Sequence, residues 1–304
     1  MTDWSVLPPD VEVQVFRDHL KDAGAVAQRL RGFDIVMAMR ERTPFSRALL
    51  AELPQLKLLI TTGMRNASID VAAARELGIT VCGTRGLGYP TAELTWGLIL
   101  ALLRRIPRED RATREGQWQV STGEGLQGKI LGVLGLGNLG AQVATVGKAF
   151  GMSLLAWSQN LTAERAAQCG ATLVSKDELL RQSDILTIHL VLSDRSRGLL
   201  GARELGLMKR SAYLINTSRG PLVDEQALIS ALQHGTIAGA GLDVYDDEPL
   251  TGDHPLRRLE NTVITPHLGY VTRETYQIFF GDTVENIQAF LRGAPIRVLS
   301  APAA

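Results

Sequence analysis

The stretch KILGVLGLGNLGAQVATVGKAFGMSLLAWS, residues 129–158, decides the fold. Its apolar run Ile130–Leu134 predicts a strand, the amphipathic segment Asn138–Phe150 predicts a helix, and the apolar run Ser153–Trp157 predicts a second strand. A strand, a glycine-rich turn, a helix and a second strand in this order form a βαβ unit, whose two strands are parallel. The stretch therefore predicts an α/β fold.

Three glycines in the turn, Gly135, Gly137 and Gly140, have the spacing G-x-G-x-x-G. Between a strand and a helix, the first permits a tight turn, the second lets the backbone approach a pyrophosphate, and the third lets helix and strand pack closely. The first helical residues, Asn138 and Leu139, then present backbone N–H groups and the positive end of the helix dipole to the phosphates. A lone motif of this kind is also compatible with a structural turn, but this context predicts a dinucleotide-binding loop.

The end of the second strand leaves the choice of dinucleotide open. An acidic side chain at this point binds the ribose hydroxyls of NAD, whereas the sequence continues Ser158-Gln159-Asn160, with neither an acidic residue nor an arginine. Ser158 and Asn160 can hydrogen-bond the ribose with or without a 2′-phosphate. NAD(H) and NADP(H) therefore remain alternative cofactors.

Strands and helices alternate on both sides of this stretch, and 304 residues suggest two domains at roughly 150 residues each. The last predicted helix, residues 273–291, follows the completed second α/β run and carries an apolar stripe, so we expect it to pack back on the first domain. The polar segment after Pro107 is expected to be a surface connection. The other predicted strands are residues 11–16, 35–39, 56–60, 79–82, 185–190, 212–216, 239–244 and 263–265. The other predicted helices are residues 68–77, 91–105, 176–181, 204–207 and 225–232.

Composition narrows the class of protein. Lys and Arg number 32, as do Asp and Glu, and the resulting net charge of zero argues against nucleic-acid binding. The two cysteines, Cys82 and Cys169, argue against a disulfide framework and a cysteine-based zinc site. The apolar run Thr95–Leu103 is too short to cross a bilayer, and the first ten residues contain no signal segment. We expect a cytoplasmic protein with no metal site and no membrane partner.

Three charged residues, Arg219, Glu248 and His267, each stand just past a predicted strand. The carboxyl ends of the strands build the ligand site of an open α/β sheet. An arginine can hold a carboxylate bidentately. A carboxylate beside a histidine raises the pKa of the imidazole and orients it, so that the imidazolium can donate a proton. The pattern predicts a catalytic site beside the dinucleotide, while His19, His234 and His254 are expected to be structural or solvated.

At these residues the chain resembles the D-isomer-specific 2-hydroxyacid dehydrogenase family over nearly its whole length. The resemblance implies an NAD(P)-dependent oxidoreductase that interconverts small 2-keto acids and D-2-hydroxy acids, most specifically a glyoxylate or hydroxypyruvate reductase, and a homodimer. It implies a Rossmann-type domain of residues 98–272 and a discontinuous flavodoxin-like substrate domain of residues 1–97 and 273–304. The motifs that carry it are REGQW (114–118), GLGNLG (135–140), HLVL (189–192), NTSRGPLVDE (216–225), LDVYDDEP (242–249) and TPHLG (265–269).

The resemblance assigns Arg219, Glu248 and His267 as the catalytic trio, with Glu248 preferred to Asp246 and Asp247 because it directly precedes Pro249. It places Asp243 near the nicotinamide carboxamide and Thr95 near the nicotinamide ring. It also implies that the first-domain loop binds the substrate carboxylate, largely through backbone N–H groups. The remaining candidates are Ser158, His189 and Thr217 for the cofactor, and Thr62, Gly63, Met64 and Arg65 for the substrate.

Two positions depart from the family pattern. Many members carry Asp where Ser158 stands, so a preference for NAD is not implied. Met64 and Arg65 stand where small residues are commoner, which leaves the identity of the substrate open. The alternative from another class is a non-enzymatic dinucleotide-sensing protein of the co-repressor type. Among enzymes, the acidic Glu248 argues against a formate dehydrogenase, and the chain length against a phosphoglycerate dehydrogenase with a regulatory domain.

Overall fold

The computed structural model describes residues 3–300, and the chain divides into two compact units. The first unit comprises Met1–Leu87 and Thr272–Ala304, and the second comprises Gly88–Val271. Within the described residues, none of the helices is both long enough and apolar enough to cross a membrane. Both units are built from parallel strands and helices, which confirms the predicted α/β class.

The strands and helices follow one another along both units in the order expected of an α/β chain. The strands are β1 (Ile35–Ala38), β2 (Leu58–Thr61), β3 (Thr80–Cys82), β4 (Ile130–Leu134), β5 (Ser153–Trp157), β6 (Thr172–Leu173), β7 (Ile185–Ile188), β8 (Tyr213–Asn216), β9 (Gly239–Leu242) and β10 (Thr262–Ile264). The helices are α1 (Ala23–Leu30), α2 (Arg47–Ala51), α3 (Val71–Glu76), α4 (Pro90–Leu103), α5 (Ile106–Arg114), α6 (Asn138–Ala149), α7 (Ala163–Gln168), α8 (Lys176–Gln182), α9 (Ala202–Leu207), α10 (Glu225–Gln233) and α11 (Arg273–Leu291).

The first unit contains a three-stranded parallel sheet in the order β1-β2-β3. The central strand β2 is apolar along its length and buried on both faces, as parallel strands are when helices cover them. Leu59 packs in a cluster with residues of α2 and α3, whereas Leu58 and Ile60 pack with Val284 and Ile287 of α11. The last helix therefore belongs to the first unit, as its apolar stripe predicted.

The second unit contains a seven-stranded parallel sheet in the order β10-β9-β8-β7-β4-β5-β6. The chain starts at the inner strand β4, moves outward through β5 and β6, and returns to build β7 to β10 on the other side. Ligands of such sheets bind beyond the carboxyl ends of the strands, where this reversal occurs. The register joins Leu134, Ile188, Asn216, Leu242 and Ile264 in one row across five strands. The loops that follow these strands consequently emerge side by side.

One predicted strand is wrong, and one predicted surface connection is partly helical. Residues 11–16 alternate apolar and polar side chains but form no strand, and Val15 is 62% exposed. The alternating pattern alone is therefore not sufficient for pairing with another strand. The predicted surface connection after Pro107 starts inside helix α5, because proline is tolerated in the first turn of a helix. An Arg114–Asp110 pair four residues apart then supports that helix. Residues 115–125 are irregular and mostly exposed, as predicted.

The first boundary between the units lies at residues 87/88, before helix α4, whereas the sequence analysis divided that helix at residues 97/98. Trp96, Leu98 and Leu102 of α4 are buried in one cluster with Leu131 and Val133 of β4. This packing assigns the whole helix to the second unit. The second crossing lies at 271/272, within one residue of the predicted position.

Candidate active site

The glycine-rich loop joins β4 to α6 at the reversal of the strand order. Gly135 has a φ of +102°, and a Cβ on it would lie 2.8 Å from the carbonyl carbon of His189. A Cβ on Gly140 would lie 2.1 Å from the carbonyl oxygen of Gly135. Both positions therefore require glycine, the first for a left-handed turn against His189 and the second for close packing of the helix on the turn.

Gly137 differs from Gly135 and Gly140 in having space for a side chain. Apart from its two chain neighbours, no heavy atom of the described residues lies within 4 Å of the position that its Cβ would take. Gly137 is the N-cap of α6 and has no side chain to accept the helix's first hydrogen bonds. The first N–H groups of a helix, here those of Asn138 and Leu139, have no partner inside it. Open space in front of free N–H groups at a helix N-terminus suits an anionic group, so the loop fits the pyrophosphate of a dinucleotide.

Ser158 and His189 follow β5 and β7, the two neighbours of β4 in the sheet. The carbonyl of Ser158 accepts the N–H of Leu161 at 3.1 Å, and its side chain is partly exposed. The Nε2 atom of His189 lies 2.9 Å from Oγ1 of Thr187, and burial lowers the pKa of His189 to about 4. The structure thus places a hydroxyl and a neutral imidazole on either side of the glycine-rich loop.

Thr95 and Thr217, two predicted cofactor residues far apart in sequence, lie together in the second unit. Oγ1 of Thr95 donates to the carbonyl of Thr91 at 2.8 Å and lies 2.8 Å from Oγ1 of Thr217. Because the single hydroxyl proton of Thr95 is already used, Thr217 is the donor between them. The pair ties helix α4 to the loop that follows β8.

Arg219, Asp243 and His267 follow β8, β9 and β10, which are adjacent strands whose last residues are in register. Arg219 and His267 each come three residues after the strand end, and Asp243 comes directly after it. The structure therefore brings the predicted charged residues to neighbouring loops at one edge of the sheet.

Glu248 and His267 form a hydrogen-bonded pair. Nδ1 of His267 lies 2.6 Å from Oε2 of Glu248, with the two side chains 22% and 34% exposed. The other carboxylate oxygen of Glu248 accepts the N–H of Tyr245 at 3.1 Å. Since a carboxylate only accepts, the ring hydrogen of this hydrogen bond sits on Nδ1. The other ring nitrogen, Nε2, makes no hydrogen bond within residues 3–300 and is therefore available to a substrate. Such a pair can deliver a proton from Nε2.

Asp243 has a role that the sequence analysis missed. Its carboxylate is fully buried and accepts three hydrogen bonds, from Oγ1 of Thr265 at 2.6 Å, the N–H of Leu268 at 2.7 Å and the N–H of Gly269 at 2.8 Å. Burial raises the pKa of Asp243 above its ordinary value. These bonds hold the backbone on both sides of His267, which itself has a φ of +58°. Asp243 therefore shapes the loop that carries the imidazole.

Arg219 lies in a turn that its neighbours hold in place. The amide of Asn216 donates to the carbonyl of Arg219 and accepts the N–H of Ser218, both at 3.0 Å. A Cβ on Gly220 would lie 2.0 Å from the carbonyl carbon of Tyr245. The arginine turn and the loop that carries Glu248 thus pack backbone against backbone. Gly220 was missed as a functional residue, although its place directly after Arg219 was the available signal.

The loop Thr62–Arg65 follows β2 in the first unit. The N–H groups of Thr62 and Gly63 donate to the carbonyl of Ala38 and to Oγ1 of Thr84, which leaves those of Met64 and Arg65 to a ligand. Of the backbone N–H groups expected to bind the substrate carboxylate, those of Thr62 and Gly63 are thus already bonded within the first unit. Nη1 of Arg40, which the sequence analysis did not consider, lies 2.4 Å from the Cβ position of Gly63. This glycine makes room for a guanidinium beside the loop.

Comparison with known proteins gives one family. The family model described as "D-isomer specific 2-hydroxyacid dehydrogenase, NAD binding domain" matches residues 96–269. Among curated proteins, a glyoxylate reductase from Aeropyrum pernix is 44% identical over 255 residues, covering 81% of this chain and 76% of that protein. A glycerate dehydrogenase from Methylorubrum extorquens is 37% identical over 287 residues, covering 91% and 88%.

Solved structures agree in fold over most of their length. A putative D-3-phosphoglycerate dehydrogenase oxidoreductase from Ralstonia solanacearum superposes with a TM-score of 0.89 at 38% identity, covering 94% of this chain and 89% of that one. A D-lactate dehydrogenase from Aquifex aeolicus, complexed with NAD and lactic acid, gives a TM-score of 0.77 at 28% identity, covering 91% and 90%. The chain therefore belongs to the D-isomer-specific 2-hydroxyacid dehydrogenase family.

Proposed function

We propose that this member of the family reduces small 2-keto acids, glyoxylate and hydroxypyruvate foremost, to the D-2-hydroxy acids. Family membership makes the chain an NAD-dependent oxidoreductase of 2-keto and 2-hydroxy acids, and the non-enzymatic alternative has no support. The observation that carries the proposal is the hydrogen-bonded Glu248–His267 pair. Glu248 follows β9, as Asp243 does, and His267 follows the adjacent strand β10. The names of two similar proteins, a glyoxylate reductase and a glycerate dehydrogenase, support the substrate class.

The three charged residues take separate roles in this proposal. Arg219 binds the substrate carboxylate and polarises the keto oxygen, because a guanidinium offers two parallel N–H donors. His267 donates the proton on Nε2 to the keto oxygen as negative charge develops there. Glu248 accepts the hydrogen on Nδ1, which fixes the orientation of the ring and leaves Nε2 to the substrate.

The cofactor site that we propose is the glycine-rich loop with the residues around it. NADH or NADPH, when bound, supplies the hydride that reduces the keto carbon. Gly137, Asn138 and Leu139 would hold the pyrophosphate at the N-terminus of α6, and Gly135 and Gly140 give the loop its shape. The remaining proposed cofactor contacts are Thr95, Ser158, His189, Thr217 and Asp243.

For the first unit taken by itself, we propose that the loop Thr62–Arg65 binds the substrate carboxylate, as the resemblance implies. The N–H groups of Met64 and Arg65 and the guanidinium of Arg65 are its donors, since those of Thr62 and Gly63 are bonded within the unit. Met64 is 46% exposed, so an apolar side chain also borders the proposed contact. A bulky residue here favours small 2-keto acids over long ones.

The proposed activity is tested with NADH and NADPH against glyoxylate, hydroxypyruvate, pyruvate and phenylpyruvate, followed at the absorbance of the reduced nicotinamide. We expect oxidation of the cofactor with glyoxylate and hydroxypyruvate, and weaker activity with phenylpyruvate. Both cofactors should serve, because no carboxylate stands at Ser158 to repel a 2′-phosphate. Absence of turnover with all four acids, although the cofactor binds, would contradict the proposal.

We also propose that the enzyme is a homodimer, as the resemblance implies. The second unit exposes the large apolar side chains of Ile106 and Trp118, which are 52% and 79% exposed, and we place the proposed interface there. Light scattering after size exclusion should give twice the chain mass of 33.0 kDa. Trp118→Asp should shift the protein toward the monomer, while a monomeric wild type would contradict the proposal.

A further inference from the structure

A second carboxylate–imidazole pair, Glu225 with His254, lies in the second unit outside the residues assigned above. Glu225 is the first residue of α10, and its Oε1 lies 3.1 Å from Nε2 of His254. Its other oxygen, Oε2, accepts the N–H of Asp246 at 3.2 Å. The two side chains are only 15% and 16% exposed, so this is a largely enclosed pair and not a solvated surface contact.

The bonding of His254 shows which atom donates. Its Nδ1 accepts the N–H of Leu256 at 3.4 Å and thereby caps the short 3-10 helix Pro255–Arg257. The ring hydrogen consequently sits on Nε2 and points to Glu225. Glu225 therefore receives two N–H groups, one on each oxygen, from His254 and Asp246. A carboxylate satisfies both donors, whereas a glutamine in its place has one acceptor oxygen and satisfies one.

Asp246 lies inside the segment that holds the catalytic carboxylate. The neighbouring N–H, that of Tyr245, donates to Oε1 of Glu248, and the hydroxyl of Tyr245 donates to the carbonyl of Thr265 at 2.8 Å. The segment Tyr245–Glu248 is thus bonded to the strand-end loop of His267 on one side. On the other side, Glu225 holds it to the start of α10 through Asp246.

We propose that Glu225, oriented by His254, is a positioning residue for the reaction: it holds the Tyr245–Glu248 segment so that Glu248 keeps the His267 imidazole in its reactive orientation. The inference rests on the proposed function and assigns a role to His254, which the sequence analysis expected to be structural or solvated. Within residues 3–300, the hydrogen bonds of the Glu225 carboxylate go to His254 and Asp246 and not to His267. Its effect passes through the backbone of Asp246 to Glu248.

The first experiment compares Glu225→Gln with Glu204→Gln as a matched control. Glu204 is 14% exposed, pairs with Lys176 at 3.1 Å and accepts the N–H of Gly201 at 3.2 Å, but it lies at the start of α9. For Glu225→Gln we expect kcat with glyoxylate to fall about 10-fold, an unchanged KM for NADH and a larger solvent deuterium isotope effect on kcat. Glu204→Gln should change the melting temperature comparably and leave kcat unchanged. Equal kcat values in the two variants would overturn the proposal.

The second experiment is a double-mutant cycle between Glu225→Gln and Glu248→Gln. If Glu225 acts through Glu248, adding Glu225→Gln to the Glu248→Gln enzyme should cause no further loss of kcat. Independent, multiplicative losses would overturn the positioning role. If the Glu248→Gln enzyme keeps the wild-type kcat, the proposed function itself is refuted. If Glu248→Gln is slow but Glu225→Gln is fully active, only the positioning role of Glu225 is refuted.

Discussion

Replacement of His267 by alanine is expected to lower kcat for glyoxylate by a factor of about 10³, the range that a positioned proton donor contributes. Nδ1 of His267 is bonded to Glu248, which leaves Nε2 as the proton donor toward the substrate. Alanine removes this donor and leaves the carboxylate of Glu248 bonded to the N–H of Tyr245 on one side only. The loss should therefore fall on the chemical step.

Cofactor binding should survive in His267→Ala, because the glycine-rich loop follows β4, which is separated in the sheet by three strands from β10, the strand before His267. Fluorescence titration with NADH measures binding, and single-turnover absorbance measures the chemical step. His234→Ala is the matched control, since His234 is exposed at the end of α10 and bonds its own helix through Ser230. If His267→Ala turns over glyoxylate at the rate of His234→Ala, the assignment of His267 is wrong.

The sequence predicts those parts of the site that depend on local sequence patterns. The glycines at 135, 137 and 140 and the residues past β8, β9 and β10 follow from strand position and spacing, because a parallel sheet places successive loops at one edge. The structure adds the register, in which Asn216, Leu242 and Ile264 share one row. Adjacent strand ends in register place the loops of Arg219, Asp243 and His267 next to one another.

The contacts that the sequence does not predict are those between distant segments. Asp243 bonds Leu268 and Gly269, Glu225 bonds Asp246 and His254, and each partner could have faced elsewhere without any change in local pattern. Residues 11–16 show the opposite case, a local pattern without the predicted structure. An alternating segment becomes a strand only if the edge of another strand is available to pair with it, and the local sequence does not show whether one is. Side-chain pairing across loops is decided by tertiary packing, which a single sequence does not contain.

Gly140→Ala should have the second large effect, a loss of NADH affinity by a factor of about 100 with a destabilisation of about 1–3 kcal/mol from overpacking. A Cβ at this position would lie 2.1 Å from the carbonyl oxygen of Gly135 and 3.1 Å from a methyl carbon of Val133. The nearest obstacle is backbone, which cannot rotate away as a flexible side chain would. The start of α6 must move, and the N–H groups of Asn138 and Leu139 move with it.

Gly206→Ala is the control for the glycine-to-alanine change itself. Gly206 lies in α9, and apart from the backbone of its own helix, no heavy atom of residues 3–300 lies within 4 Å of its Cβ position. Alanine there should therefore raise the stability by about 0.5–1 kcal/mol and leave NADH binding unchanged. Thermal unfolding and fluorescence titration of both variants separate the effects on stability and affinity. Since Gly140 contacts the turn and not the catalytic pair, saturating NADH should restore much of the kcat of Gly140→Ala. An affinity for NADH equal to that of Gly206→Ala would show that the loop tolerates the added methyl group and that the close contact does not set the phosphate-binding geometry.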